Sequence, residues 1–273
     1  MAIPALVRHR PHSSLAGLVA GIVGLSEHAD EAVERRQPAG SLLPLVVSFG
    51  DPLEVISLSD GEGAGRYSSF IAGFMPGHAT TRFVGTQRCV QVYLTPLGAY
   101  RLLGHPGQDL ARRVTSLEEV APFLGGSLPE RLGQTATWAG RIGVVEQALL
   151  SALDAGPESE PVVAWLWNRI RRSGGRARID DLVTESGWSH RHVATRFRDQ
   201  IGLSPKAAAG IVRFERATAD LGRGSLAELA AEHGYADQSH FTREVVRYAG
   251  EPPRALLAAQ RPTAYTALGA GPL

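Results

Sequence analysis

The chain is short of most features that would fix its chemistry at once. Its 273 residues include one cysteine, Cys89, and two methionines. A lone cysteine excludes an internal disulfide framework and suits a reducing compartment. No apolar run approaches the roughly 20 residues that a membrane span needs. The opening stretch MAIPALVRHRPHSS lacks a basic-then-apolar signal pattern, so a cytoplasmic location is expected. Catalytic signatures are missing too. Gly61 to Gly65 is glycine-rich but has neither the strand-to-helix setting nor the correctly spaced third glycine of a nucleotide fingerprint. His78, Cys89 and His105 fit no metal-ligand spacing, and Ser41, Ser68 and Ser69 sit in no Gly-x-Ser-x-Gly elbow. The reading is therefore of a non-enzyme, with no catalytic residue, metal or cofactor.

Charge is scarce in net terms but unevenly placed. The formal total of +1 hides 16 Lys and Arg against 11 Asp and Glu in residues 161–273, and 12 against 16 in residues 1–160. A basic back half beside an acidic front half suits one part on nucleic acid and one part off it.

What the chain does have is a duplication. IDDLVTESGWSHRHVATRFRDQIGLSP (Ile179 to Pro205) and LAELAAEHGYADQSHFTREVVRYAGEPP (Leu226 to Pro253) follow one plan. In each, a short amphipathic helix ends at a glycine followed by an aromatic, Gly187-Trp188 and Gly234-Tyr235. Glycine there can take the left-handed conformation that closes a helix. Ser189 and Asp237 then cap a second helix. Each second helix carries an apolar i, i+4 pair, Val193 with Phe197 and Phe241 with Val245, and stops at Gly202 or Gly250 just before a proline. Trp188 and Tyr235 are read as wedges in the core. The pattern is a tandem helix-turn-helix.

The stretch from roughly Val162 to Ala258 resembles the DNA-binding domain of the AraC/XylS family of bacterial transcription regulators. GYADQSHFTREV (Gly234 to Val245), RFERA (Arg213 to Ala217) and the two Gly-x-x-Pro endings carry the likeness. The resemblance implies Arg191, Ala194 and Thr195 on the groove face of the first recognition helix, and Gln238, Ser239 and Arg243 on the second. Arginine suits guanine O6 and N7, and glutamine suits adenine N6 and N7. His190, Lys206, Arg213, Arg216, Arg247 and Arg254 are candidates for the DNA backbone, where each neutralised phosphate adds affinity through counterion release. Arg213 and Arg216 flank Glu215, so pairing within the helix is a rival role. Glu244 and Val245 replace the small residue and phenylalanine common in the family, and Ala194 lacks a polar tip.

The front half reads differently. LLPLVVSF, LEVISL, SFIAGF, TTRFV and CVQVYL, all within Leu42 to Leu94, alternate with Gly, Pro and Asp turns and suggest an antiparallel sheet or small barrel. Leu15 to Val23 is ambiguous between strand and helix, and His28 to Arg36 is a charged segment. Helices are expected at Pro96 to Leu103, Leu117 to Phe123, Leu128 to Leu132 and Ala139 to Leu153. The last places Ile142, Val145, Leu149 and Leu153 on one face, for packing on the barrel or on a second copy. The front half also looks like the N-terminal domain of AraC-like regulators of poorly known ligand.

The fold class is thus α+β, an antiparallel sheet or small barrel with helices followed by an all-α tandem helix-turn-helix domain. The expected divisions are a sensor and dimerisation domain at 1–154, a linker at 155–161, the DNA-binding domain at 162–260 and a flexible tail at 261–273. Expected partners are double-stranded DNA, a small-molecule effector, a second copy of the chain through the front half, and RNA polymerase, with no membrane. Two alternatives stand beside this: a DNA repair or modification protein with a reactive Cys89, and a ligand-independent dimeric regulator.

Overall fold

The computed structural model describes residues 5–258. The front half is built on β1 (Ala5–His9), β2 (Val19–Gln37), β3 (Leu43–Ser48), β4 (Leu53–Leu58), β5 (Gly65–Tyr67), β6 (Phe70–Ala72), β7 (Ala79–Leu94) and β8 (Val114–Ser116). These form one antiparallel sheet in the order β1-β2-β7-β3-β6-β8, with β4 on the first half of β7 and β5 beyond it. Side chains alternate between the two faces of a strand, and the sequence exploits this. Ile22, Leu45, Val90 and Val92 turn to the helices, while Leu25, Val46 and Cys89 turn the other way onto Val55, Phe70 and Val114.

The five expected runs fall in four of the eight strands, β3, β4, β6 and β7; the departures have local causes. The ambiguous Leu15 to Val23 and the charged His28 to Arg36 join into the single 19-residue strand β2. Its charged half pairs with β7 beyond a bulge between Ala29 and Val33, and Arg35 neutralises the buried Glu27 across that bulge, its Nη1 donating to Oε2 at 2.8 Å. Cross-strand partners supply what composition concealed. TTRFV and CVQVYL likewise merge into β7, where Gly85 takes φ 87° and carries the irregularity. β1 takes in Arg8 and His9, both exposed on this edge strand.

α1 (Pro96–Leu103) is capped by Thr95, whose Oγ1 accepts from Gly98 N. α2 (Gly107–Leu110), α3 (Leu117–Val120), α4 (Pro122–Gly125), α5 (Leu128–Gln134) and α6 (Trp138–Leu153) follow. α2 and β8 are too short for any periodicity to reveal. The α6 stripe of Ile142, Val145 and Leu149 is fully buried within the chain, so it packs internally and is not available to a second copy.

The back half contains α7 (Pro161–Arg172), α8 (Ile179–Ser186), α9 (His190–Ile201), α10 (Pro205–Ala219), α11 (Leu226–Glu232), α12 (Gln238–Ala249) and α13 (Pro253–Ala258). The tail beyond Ala258 lies outside the described residues. Among those described, no helix is long and apolar enough to cross a membrane.

The two halves share one core. Val90, Val92 and Leu149 belong to the same buried cluster as Trp167, Phe197, Phe214 and Phe241. Phe74 meets Trp167 edge-on at 5.9 Å between ring centres. Gly107 sits so close to the end of α9 that a Cβ there would fall 2.4 Å from the Gln200 carbonyl oxygen.

Candidate nucleic-acid interface

Each helix pair is closed by its turn as the sequence required. Gly187 and Gly234 adopt φ 72° and 74°. Ser189 Oγ accepts from His192 N at 3.3 Å, and Asp237 Oδ1 accepts from His240 N at 2.7 Å. α11 has a full capping box, in which Ser225 and Glu228 satisfy each other's backbone N–H. Beneath these caps Val193, Phe197, Phe241 and Val245 are buried, anchoring α9 and α12 by one face and leaving the opposite face to solvent.

Of the six residues expected on the base-reading face, Arg191, Thr195, Gln238, Ser239 and Arg243 are exposed, and Ala194 is half-buried. Their exposure clusters on the first turns of α9 and α12. Arg198 is exposed as well. It lies seven residues after Arg191 and so on the same helical face, a spacing that sequence reasoning could have used and did not.

The basic residues divide by environment. His190, Lys206, Arg216, Arg247 and Arg254 are exposed, with His190 Nδ1 3.8 Å from Asp180 and Arg247 3.8 Å from Glu244. Arg213 instead turns inward. Its guanidinium stands 4.9 Å above the Tyr235 ring and 3.7 Å from Glu244 Oε2. This gives Glu244, unusual for the family, a physical role in tying α12 to α10. Val245 fills the expected phenylalanine position and is fully buried. Burial pushes the Tyr235 phenol up to about 12.

The wedge reading holds for one copy only. Tyr235 is buried against Phe241 and the edge of His240, but Trp188 is 53% exposed and stacks on His192 at 4.4 Å. His240 Nδ1 accepts from Ala236 N, so this histidine orients its turn as well as packing edge-on to Tyr235.

Both recognition helices run into the front half at their C-terminal ends. Gln200 Oε1 accepts from Glu160 N at 3.0 Å, and Arg196 donates to the Glu160 carboxylate, holding that carboxyl below its usual range. At the end of α12, Ala39 N donates to Tyr248 O at 2.8 Å and Arg36 Nη1 to Gly250 O at 3.0 Å. Ser41 N adds a bond to Glu215 Oε1 on α10. One end of each reader is thus held by the front half while the other faces water.

Residues 182–259 match the family described as a helix-turn-helix domain. The chain carries an AraC-type DNA-binding domain. Such a domain is that of a DNA-binding transcription regulator. Among solved structures, ToxT from Vibrio cholerae is 8% identical, with 95% of this chain and all of that chain covered at a TM-score of 0.51. It shows the same fold, a front sheet domain followed by a helical back half. The C-terminal domain of AraT, a response regulator from Geobacillus stearothermophilus, is 18% identical over 40% of this chain and 94% of its own, at 0.36. The xylose-binding transcription activator XylR is 16% identical over 45% and 40%, at 0.35. No curated protein matches the chain.

Cys89 is buried with its thiol pushed up to about 12 by desolvation. The repair alternative required an exposed, activated thiol, and a thiol so protonated is not a nucleophile at neutral pH.

Proposed function

We propose that the chain is a sequence-specific transcription regulator that reads double-stranded DNA with the first turns of α9 and α12, under the control of a small molecule bound in residues 1–154. The observation that carries this is the pairing of two capped helices on one strut, α10, with Arg191, Thr195, Gln238, Ser239 and Arg243 all turned to solvent. A second helix of such a motif enters the major groove with its N-terminal residues on base edges, and successive grooves on one face lie about 34 Å apart. One chain then reads two half-elements in a non-palindromic or direct-repeat site.

Effector control is supported by an apolar cleft of about 390 Å³ among Leu102, Leu103, Phe123, Ala148 and Ala152, within the size range of small-molecule sites. Ala155 and Gly156, at the start of the connecting segment, form part of its wall, and Arg101 Nη1 donates to Gly156 O at 2.7 Å. An occupant would therefore press on the segment leading to Glu160 and α9. Dimerisation through the front half would use a surface other than the α6 stripe, and contact with RNA polymerase would follow from regulation by activation.

Genome-wide mapping of bound sites followed by footprinting tests the reading. A direct repeat protected on one face of the duplex is expected. Binding that shows no preference over random competitor DNA would overturn it.

A further inference from the structure

We infer that Asp220, Glu232 and His233 form a binding site for a divalent transition ion of the zinc class. One donor atom from each lies within 4.8 Å of the other two. Asp220 ends α10, the strut between the readers, and His233 ends α11, one residue before the turn glycine Gly234. The spacing of these residues fits no familiar ligand motif; the fold brings them together.

The geometry between two of them is the telling feature. His233 Nε2 comes within 3.0 Å of Asp220 Oδ2, yet this buried nitrogen has no hydrogen-bond partner. At that distance only misdirection prevents a bond, since a hydrogen bond needs the N–H to point at its acceptor. Two ligands of one ion show the same relation. They converge on a third point, and at metal distances near 2.0–2.1 Å in a tetrahedral site they stand about 3.3 Å apart.

The surroundings favour a cation. The negative ends of two helices meet here, together with two carboxylates. Arg223 Nη1 takes Asp220 Oδ1, so that Oδ2 is the oxygen turned to His233 Nε2. Arg176 Nη1 donates to the Glu232 backbone oxygen at 3.2 Å, fixing the end of α11 without occupying the Glu232 carboxylate. Glu232 is exposed and can close onto an ion held by the other two. Three protein ligands, one an imidazole, with water in the fourth position suit zinc-like ions. Magnesium and calcium, which want six or more oxygens, should bind poorly. Such an ion would staple the strut to α11, the first helix of the second pair.

Equilibrium dialysis of the full chain against Zn²⁺, with metal analysis and without DNA, tests the site independently of any DNA-binding role. One equivalent is expected, retained in millimolar Mg²⁺. His233→Ala and Asp220→Asn should each weaken binding at least about tenfold. Glu232→Gln, an exposed change that leaves metal-free thermal unfolding intact, should weaken it severalfold and so covers the case in which the other two variants do not fold. No bound zinc, or zinc retained with equal affinity in the variants, would overturn the assignment.

Discussion

Arg213 and Arg243 are both arginines on helices of the DNA-binding domain, yet their surroundings assign them different work. Arg243 is exposed on α12 and Arg213 is pinned between Tyr235 and Glu244. Replacing Arg243 with alanine should weaken specific binding by about 1–3 kcal/mol and relax discrimination at one position. Replacing Arg213 should leave the salt dependence of DNA binding unchanged and lower the melting temperature. Anisotropy titrations across salt concentrations, run beside thermal melts, separate the two. Cys89 makes a second claim at this scale. Its folded thiol titrates near 12 because burial opposes the charge, so above about pH 8.5 the unfolded chain loses this proton and the folded chain keeps it. Its stabilising contribution is full below that pH and is lost as pH rises toward 12, by up to about 1.4 kcal/mol per pH unit. Cys89→Ser melts between pH 8 and 10 should fall less steeply than wild type.

The helix-turn-helix units were legible because each rests on local chemistry: a left-handed glycine, a side-chain cap and an apolar i, i+4 pair, all visible in one window of sequence. Gly187 offers a clean test of this. A Cβ there meets nothing within 4 Å, but the backbone sits at φ 72°, so Gly187→Ala should cost about 1–2 kcal/mol from conformation alone. A denaturation midpoint unchanged by the substitution would show that the turn relaxes without penalty. Where an element depends on distant partners, sequence reading failed. The charged half of β2 is a strand because β7 lies beside it, and Arg213 is internal because Glu244 arrives from another helix. Trp188 was misjudged for the opposite reason, since its own neighbours leave it open while the matching Tyr235 is covered.

At the scale of the molecule, the seam between the halves has a backbone-to-backbone fit at its centre, between Gly107 and the end of α9. Gly107 has no room for a side chain against the carbonyl of Gln200 and the nitrogen of Gly202. Gly107→Val should therefore part α2 from α9, exposing residues 155–160 to protease at least about tenfold faster, with α9 and α12 themselves still folded. Limited proteolysis with circular dichroism reads both outcomes, and a cleavage rate equal to wild type would place the holding contacts elsewhere.

The same fit limits how such regulators can be recombined. A foreign sensor grafted ahead of this reader would have to reproduce a glycine facing Gln200, a phenylalanine facing Trp167, a backbone N–H facing the Tyr248 carbonyl and an arginine facing the Gly250 carbonyl. Divergence in the front half is thereby constrained along that narrow strip and free across the rest of its surface, and chimaeras that respect the strip should fold where those that ignore it aggregate.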